Sequence, residues 1–484
     1  MWIGGEWVDA DSGETFRTYN PATGEAVAEV PRAGLSDVDK AVAAARKALP
    51  EWSRRTQAER SAVVQRIADA VREHAAEIAP LEIAEHGSIS SIAPIMVEVS
   101  AAQLDLAASG ARTVMGHVLP LSPSKDGGPG APANTVAYMQ REPAGVCALI
   151  TPWNVPSLMI SQKIGPALAT GNTCVVKPPS LNSGIALKWA QILDELDLPP
   201  GIVNFVTGPG GTIGEYLSAH PGVDLISFTG SSEVGKAIIA ASSGTVKTLL
   251  MELGGKNPAI VLEDADVEAN AAELCRIALE NVGQNCAQPS RVYVHENVYD
   301  RFVAAYVDTA SQVKVGDPTD PATQMGPVVS RDQRDHIEAY IQTAIDEGAK
   351  LECGGKRPTG HVYDKGFFVM PTVFSDMRQD MTITREEVFG PVVGIHKFST
   401  DEEALEMAND TPFGLCASVW TKDYARGLKF VNGLQAGTVW VNQHMNLAPE
   451  TPWGGFKESG LGKEGGVIGS EAYTQLKLVY LKHA

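Results

Sequence analysis

The residues best suited to chemistry lie in the turn Gly283-Gln284-Asn285-Cys286. A helical pattern over about 267–280 leads into it, and a short apolar run at 291–294 leads out. A thiol in a glycine-led turn between two such elements is held by backbone on both sides, which suits a nucleophile. Thiolate, not thiol, attacks electrophiles, so the site must favour ionisation. A cysteine taken alone is more often a small buried hydrophobe. The other candidates decide the matter: an amide at Asn154, just after one apolar run, and a carboxylate at Glu252, ending another. Read singly, Asn154 also fits a turn and Glu252 a solvated cap.

The elements that must position these groups are legible in outline. The first 120 residues hold two helices, for which Ser36 with Asp39 and Thr56 with Glu59 fit N-terminal capping boxes. Residues 122–134 form a connector rich in Ser, Pro, Gly and Ala, and 135–141 fits an exposed strand ended by Pro143. From Gly145 apolar runs at 146–150, 173–176, 202–206, 225–228 and 248–251 alternate with helical stretches. Such alternation predicts right-handed crossovers and a parallel sheet covered on both faces. A second series follows Gly254-Gly255, with strands at 259–262, 291–294, 392–397, 416–420 and 438–441. Helices at 268–280, 299–313, 332–347 and 401–409 lie between them. The apolar segment 476–481 predicts a strand, for which a neighbouring subunit is the economical partner.

Bulk properties exclude several classes. The chain has 484 residues, enough for two or three domains, and is 44% hydrophobic and 20% charged. A net charge of −19, from 39 basic and 58 acidic side chains, argues against nucleic acid and anionic membranes as partners. No stretch reaches the ~18 apolar residues of a membrane span. The first residues, Met1-Trp2-Ile3-Gly4-Gly5-Glu6-Trp7, do not read as a signal peptide. The six cysteines, Cys147, Cys174, Cys275, Cys286, Cys353 and Cys416, show neither a paired framework nor a metal motif, which fits a reducing cytoplasmic setting. No metal is expected, since the histidines lack ligand spacing.

Seven motifs, in one order, resemble the NAD(P)-dependent aldehyde dehydrogenase superfamily. They are Pro152-Trp153-Asn154, Lys177-Pro178, Phe228-Thr229-Gly230-Ser231 with Gly235, Glu252-Leu253-Gly254-Gly255-Lys256, Gly283-Gln284-Asn285-Cys286, Glu387-Val388-Phe389-Gly390-Pro391 and Pro452-Trp453-Gly454-Gly455. The resemblance implies that Cys286 attacks the aldehyde carbon and that the Asn154 amide holds the oxyanion with the Cys286 backbone N–H. It also implies that Glu252 activates the water that cleaves the thioester. Lys163 and Glu464 match a proton path in the family, and a structural ion pair is the other reading of them.

For the cofactor, NAD or NADP, the resemblance points to Thr151, Pro152, Trp153, Lys177, Ser180, Gly208, Thr229, Gly230, Ser231, Gly235, Leu253, Gly254, Glu387 and Phe389. Gly208-Pro209-Gly210-Gly211 reads as a strand-to-helix turn near the adenine. Ser180 stands where many NAD-preferring relatives carry Glu, so NADP⁺ is expected to be accepted. Positions matching the substrate tunnel are Val155, Leu158, Met159, Gln162, Glu280, Asn285, Ala287, Met445, Leu447 and Trp453. Most are apolar and none is Lys or Arg, which favours a neutral hydrophobic aldehyde, aliphatic or aromatic. Glu280 is discordant: it binds a hydroxyl or amine, or it merely faces solvent.

The expected fold is α/β, aldehyde-dehydrogenase-like. A Rossmann-type cofactor domain takes residues 1–120 and 143–252, and a second α/β catalytic domain takes 253–465. A small β oligomerisation arm takes 121–142 and 466–484, in a homodimer or homotetramer. Two alternatives stand beside hydrolytic oxidation: a CoA-acylating member of the superfamily, which Glu252 argues against, and a catalytically silent protein on the same scaffold.

Overall fold

Runs such as Val146–Ile150 carry no polar alternation, and every residue of this one is buried. A strand of that kind needs cover on both faces, and the computed structural model supplies it. The structure describes residues 1–122, 124, 130–131 and 134–482; most of the 122–134 connector therefore lies outside the described residues.

The first sheet runs in the order Gly460–Leu461, Thr248–Glu252, Leu225–Thr229, Val146–Ile150, Thr173–Lys177, Val203–Phe205, Trp2–Ile3, Glu6–Trp7. Its five central strands are parallel, and antiparallel strands close both sides. Helices Gln57–Glu73, Ala93–Gly110, Pro156–Ala169 and Ser183–Asp194 pack on one face, and Leu35–Arg54 and Ser232–Ser242 on the other. Chain order reverses between Val146–Ile150 and Leu225–Thr229. A crevice at the carboxyl ends of two such strands is where open parallel sheets bind ligands.

The second sheet runs Lys350–Cys353, Thr372–Ser375, Val392–Phe398, Arg291–His295, Pro258–Val261, Cys416–Trp420, Thr438–Val441, parallel throughout except at the first pair. Its core is built with helices Val267–Leu279, Tyr299–Ser311 and Arg331–Asp346. A third sheet joins Thr474–Lys482, Thr135–Pro143 and His117–Leu119.

Two expectations are refined. The first helix starts at Leu35, and Asp37, not Asp39, accepts the Gly34 N–H at 2.9 Å. Asp37 sits three residues past the cap and can reach it; Ser36 lies inside the helix and donates to Asp11 instead. Thr56 and Glu59 do form their reciprocal cap, at 2.7 and 3.2 Å. The terminal strand pairs on one side with Thr135–Pro143 of its own chain over nine residue pairs, and its other side is the outer edge of that sheet. Leu476, Leu478, Tyr480 and Leu481 remain exposed on it. Among the described residues, no helix is long and apolar enough to cross a membrane.

Candidate active site

The turn after Val146–Ile150 is tied down from three directions. Asn182 donates to the Trp153 carbonyl at 2.7 Å, and Asn281 to the Asn154 carbonyl at 2.8 Å. Glu82, in the π-helical turn Glu82–His86, accepts the Ser157 N–H at 3.2 Å where helix Pro156–Ala169 begins. The buried Asn154 amide then donates to the Gln284 carbonyl at 3.1 Å, two residues before Cys286. The amide and the thiol loop thus meet across the gap between the two parallel sheets.

The loop itself is unusual. Asn281, Val282 and Gly283 all hold left-handed φ, at 51°, 59° and 68°. For a β-branched residue such as Val282 this costs of order 1–3 kcal/mol, so surrounding contacts must impose it. Asn285 turns its carbonyl oxygen to the Ala287 N–H at 3.0 Å and to the Cys286 thiol at 3.9 Å. Burial, then the carboxyls of Glu387 and Glu252, pushes the Cys286 thiol up to about 12, against the pull of the Cys286 and Ala287 backbone N–H groups. A raised pKa means less thiolate at neutral pH. Alkylation of Cys286 by iodoacetamide in the ligand-free protein should therefore climb about tenfold per pH unit from pH ~7 to ~9. Mass spectrometry of the Cys286 peptide checks this, and a rate already level at neutral pH would contradict it.

Glu252 ends its strand buried, and both carboxyl oxygens lack a hydrogen-bond partner. Burial, then the nearby Glu464 carboxylate, holds its pKa well above the usual range. Behind it lies a closed ring of three buried groups. Lys163 reaches Glu464 at 2.6 Å and Ser227 at 2.8 Å, and Ser227 reaches Glu464 at 2.7 Å. Removing one partner of a buried ion pair typically costs ~3–5 kcal/mol, so loss of Lys163 would mix stability with function. Ser227 carried no signal in the sequence beyond its place in an apolar strand.

The residues expected to hold a dinucleotide gather at the chain-order reversal, and their chemistry fits one. Thr151 and Thr229, ending or following neighbouring strands, bury hydroxyls that have no partner. Ser231 caps helix Ser232–Ser242 through its oxygen, at 3.3 Å from the Val234 N–H, beside backbone N–H groups suited to a pyrophosphate. A Cβ on Gly230 would meet Phe228 at 2.4 Å, and one on Gly235 would meet Leu253 at 2.6 Å. Lys177 is buried, and burial pulls its amine down to about 8. Its Nζ would lie 3.7 Å from a Cβ on Gly210, in the turn that begins at Gly208, and Ser180 donates to the Gly208 carbonyl at 3.0 Å. From the second sheet, Glu387 accepts the Gly255 N–H at 2.9 Å, and a Cβ on Gly254 would meet it at 2.3 Å. Burial raises Glu387 to about 7. Phe389 packs edge-on against Trp153, with centroids 5.3 Å apart. Pro152 is half-buried in the same turn.

Of the expected tunnel residues, Val155, Leu158, Met159 and Gln162 are half-buried at the start of helix Pro156–Ala169. Ala287, Met445 and Trp453 meet in one apolar cluster. That cluster also contains Cys416 and Trp440, which sequence reasoning missed; the indoles of Trp440 and Trp453 lie 6.2 Å apart. His444 fixes its floor, bonded to Ser418 and to the Ala287 carbonyl, both at 2.8 Å. Leu447 and Glu280 lie exposed at the surface. Among the described residues, no group of three or more His, Cys, Asp and Glu is placed to hold a metal ion.

A thiol, an amide and a partnerless carboxyl so arranged, beside residues suited to a dinucleotide, can carry out acyl chemistry with hydride removal. The family model described as "Aldehyde dehydrogenase family" matches residues 7–479. The chain belongs to the aldehyde dehydrogenase family. Within it, betaine aldehyde dehydrogenase of Bacillus subtilis is 41% identical over 99% of this chain and 96% of its own. The structure of betaine aldehyde dehydrogenase from Staphylococcus aureus in complex with NAD⁺ superposes with a TM-score of 0.96, at 36% identity over 99% of this chain and 94% of that one. That of 3,6-anhydro-L-galactose dehydrogenase in complex with NADP gives 0.95, at 36% identity over 99% of both chains.

Proposed function

We propose that this aldehyde dehydrogenase oxidises a neutral, hydrophobic aldehyde to the free carboxylic acid, with NAD⁺ or NADP⁺ as acceptor. The observation that carries this reading is the convergence of Cys286, Asn154 and Glu252 on one gap between two sheets. Cys286 first gives up its thiol proton to solvent and adds to the carbonyl carbon as a thiolate, and the Asn154 amide with the Cys286 N–H holds the oxyanion; one such donor is worth ~10²–10³ in rate. The bound nicotinamide supplies the hydride acceptor. Glu252 takes a proton from the water that cleaves the thioester, and its raised pKa makes it a stronger base once ionised. The Lys163–Ser227–Glu464 ring stands ready to pass that proton on. Residues 1–120 and 143–252 form the cofactor domain in this reading, and 253–465 the catalytic domain. The exposed apolar strand Thr474–Lys482 serves a homodimer or homotetramer.

The apolar lining by Ala287, Cys416, Trp440, Met445 and Trp453 supports a hydrophobic substrate. The two indoles also offer aromatic surface to a quaternary ammonium group, in keeping with the relatives named for betaine aldehyde. A panel of aliphatic, aromatic, anionic and trimethylammonium aldehydes ranks these by kcat/KM. Preference for the anionic member would overturn both readings.

Cofactor choice follows from Ser180, which places no carboxylate against a 2′-phosphate. We expect kcat/KM with NADP⁺ to equal or exceed that with NAD⁺ in steady-state assays. An advantage of about tenfold or more for NAD⁺ would refute this.

A further inference from the structure

The carboxamide of Asn281 plays no part in the reaction as described, yet it touches both sides of the site. Its Nδ2 donates to the Asn154 carbonyl at 2.8 Å and to the Gln284 carbonyl at 3.1 Å. The second of these carbonyls also accepts the Asn154 amide at 3.1 Å. Gln284 locks the turn from beneath: its Nε2 donates to the Asn281 carbonyl at 3.2 Å, and its Oε1 accepts the Val329 N–H at 2.9 Å. The backbone at 281 is left-handed, at φ 51° and ψ 33°. Gly, Asn and Asp adopt that conformation at least cost. Of the three, only Asn brings two side-chain N–H donors.

We propose that Asn281 is a positioning residue that sets the Asn154 amide in register with the Cys286 sulphur by bridging the two backbone segments that carry them. The inference rests on the reading of Cys286 as nucleophile and Asn154 as oxyanion donor. A misplacement of about 1 Å between reacting groups is enough to cost ~10²-fold in rate.

Two probes of the same thiol separate positioning from mere folding. Iodoacetamide is displaced at saturated carbon: an S–C bond forms, iodide leaves and no oxyanion develops. p-Nitrophenyl acetate is attacked at its carbonyl: an oxyanion forms, then p-nitrophenolate leaves and the sulphur carries the acetyl group. In Asn281→Gly, which keeps the left-handed backbone and loses only the amide, acylation of Cys286 should fall ~10–100-fold while its alkylation stays within about twofold. Val282→Gly, which keeps the amide, should hold the parent ratio of the two rates. If Asn281→Gly does not accumulate as folded protein, Asn281→Asp, which keeps the shape and loses the donors, is measured the same way. Equal loss of both rates means a disordered loop and overturns the proposal. So does no loss of either, or the same loss in Val282→Gly. Neither probe needs cofactor, so a parent that fails to oxidise aldehydes would sink the reading of the activity without touching this test.

Discussion

Cys286→Ala should lose aldehyde-dependent NAD(P)H formation altogether, by ~10⁴–10⁶-fold against the parent. No other thiol can stand in. Cys416 is buried, with its sulphur turned to the Ala287 carbonyl at 3.7 Å, and Cys147, Cys174 and Cys275 are buried in the cores. Cys353 lies in the far edge strand of the second sheet. The substitution removes one sulphur from a partly exposed side chain, so the thermal midpoint should hardly move. Dinucleotide binding, followed by quenching of tryptophan fluorescence, should persist. Residual turnover of even a few per cent would mean that the thiol is not the nucleophile, and the role of Asn154 would fall with it.

Glu252→Gln should separate the two halves of the reaction. The amide keeps the shape of the carboxyl but cannot take a proton from water, so thioester cleavage should slow by ~10²–10⁴-fold. Acylation draws on the thiolate fraction of Cys286 and needs no base to activate water. Rapid mixing with aldehyde and cofactor should therefore release about one NAD(P)H per subunit in a burst, followed by near-silence. Intact-protein mass spectrometry should find the acyl group on Cys286. The Glu252 carboxyl also helps to raise the Cys286 pKa, so the variant should alkylate no more slowly than the parent. A variant that turns over at the parent's steady rate would show that the base lies elsewhere. Release of acyl-CoA by the parent on addition of CoA would instead favour the acylating branch of the superfamily.

The parts of this molecule legible in its sequence are those governed by local pattern. Apolar runs such as 146–150 and 225–228, alternating with helical stretches, read as covered strands, and their carboxyl ends point to Thr151–Asn154 and Thr229–Ser231. Thr56 with Glu59 capped as expected because both partners lie within one turn. Ser36 misled because Asp37, one residue away, competes for the same backbone and reaches it better. Helix Ala93–Gly110 escaped notice because it is apolar on nearly every side, with only the narrow stripe of Glu98, Asp105 and Ser109 to give it a period. What the sequence hides is contact between distant segments. Glu82 serves a helix 75 residues further on, Asn281 a carbonyl 127 residues back, and Ser227 a carboxylate 237 residues ahead. No window of sequence links such pairs. Trp440 and Cys416 joined the apolar cluster at Ala287 for the same reason: strands that neighbour in space brought them there.

The two-residue strand Gly460–Leu461 lies antiparallel to Met251–Glu252 and forms the outer edge of the first sheet. Leu253 N–H is bound in turn by the Ser459 carbonyl at 3.0 Å. Glu252 is thus clasped by a piece of chain made some two hundred residues later. During synthesis, the first sheet can collapse around its five parallel strands, but this margin stays bare until Gly460–Leu461 has been made. A chain cut short before that stretch would be left with an open strand at the very place where chemistry is meant to happen.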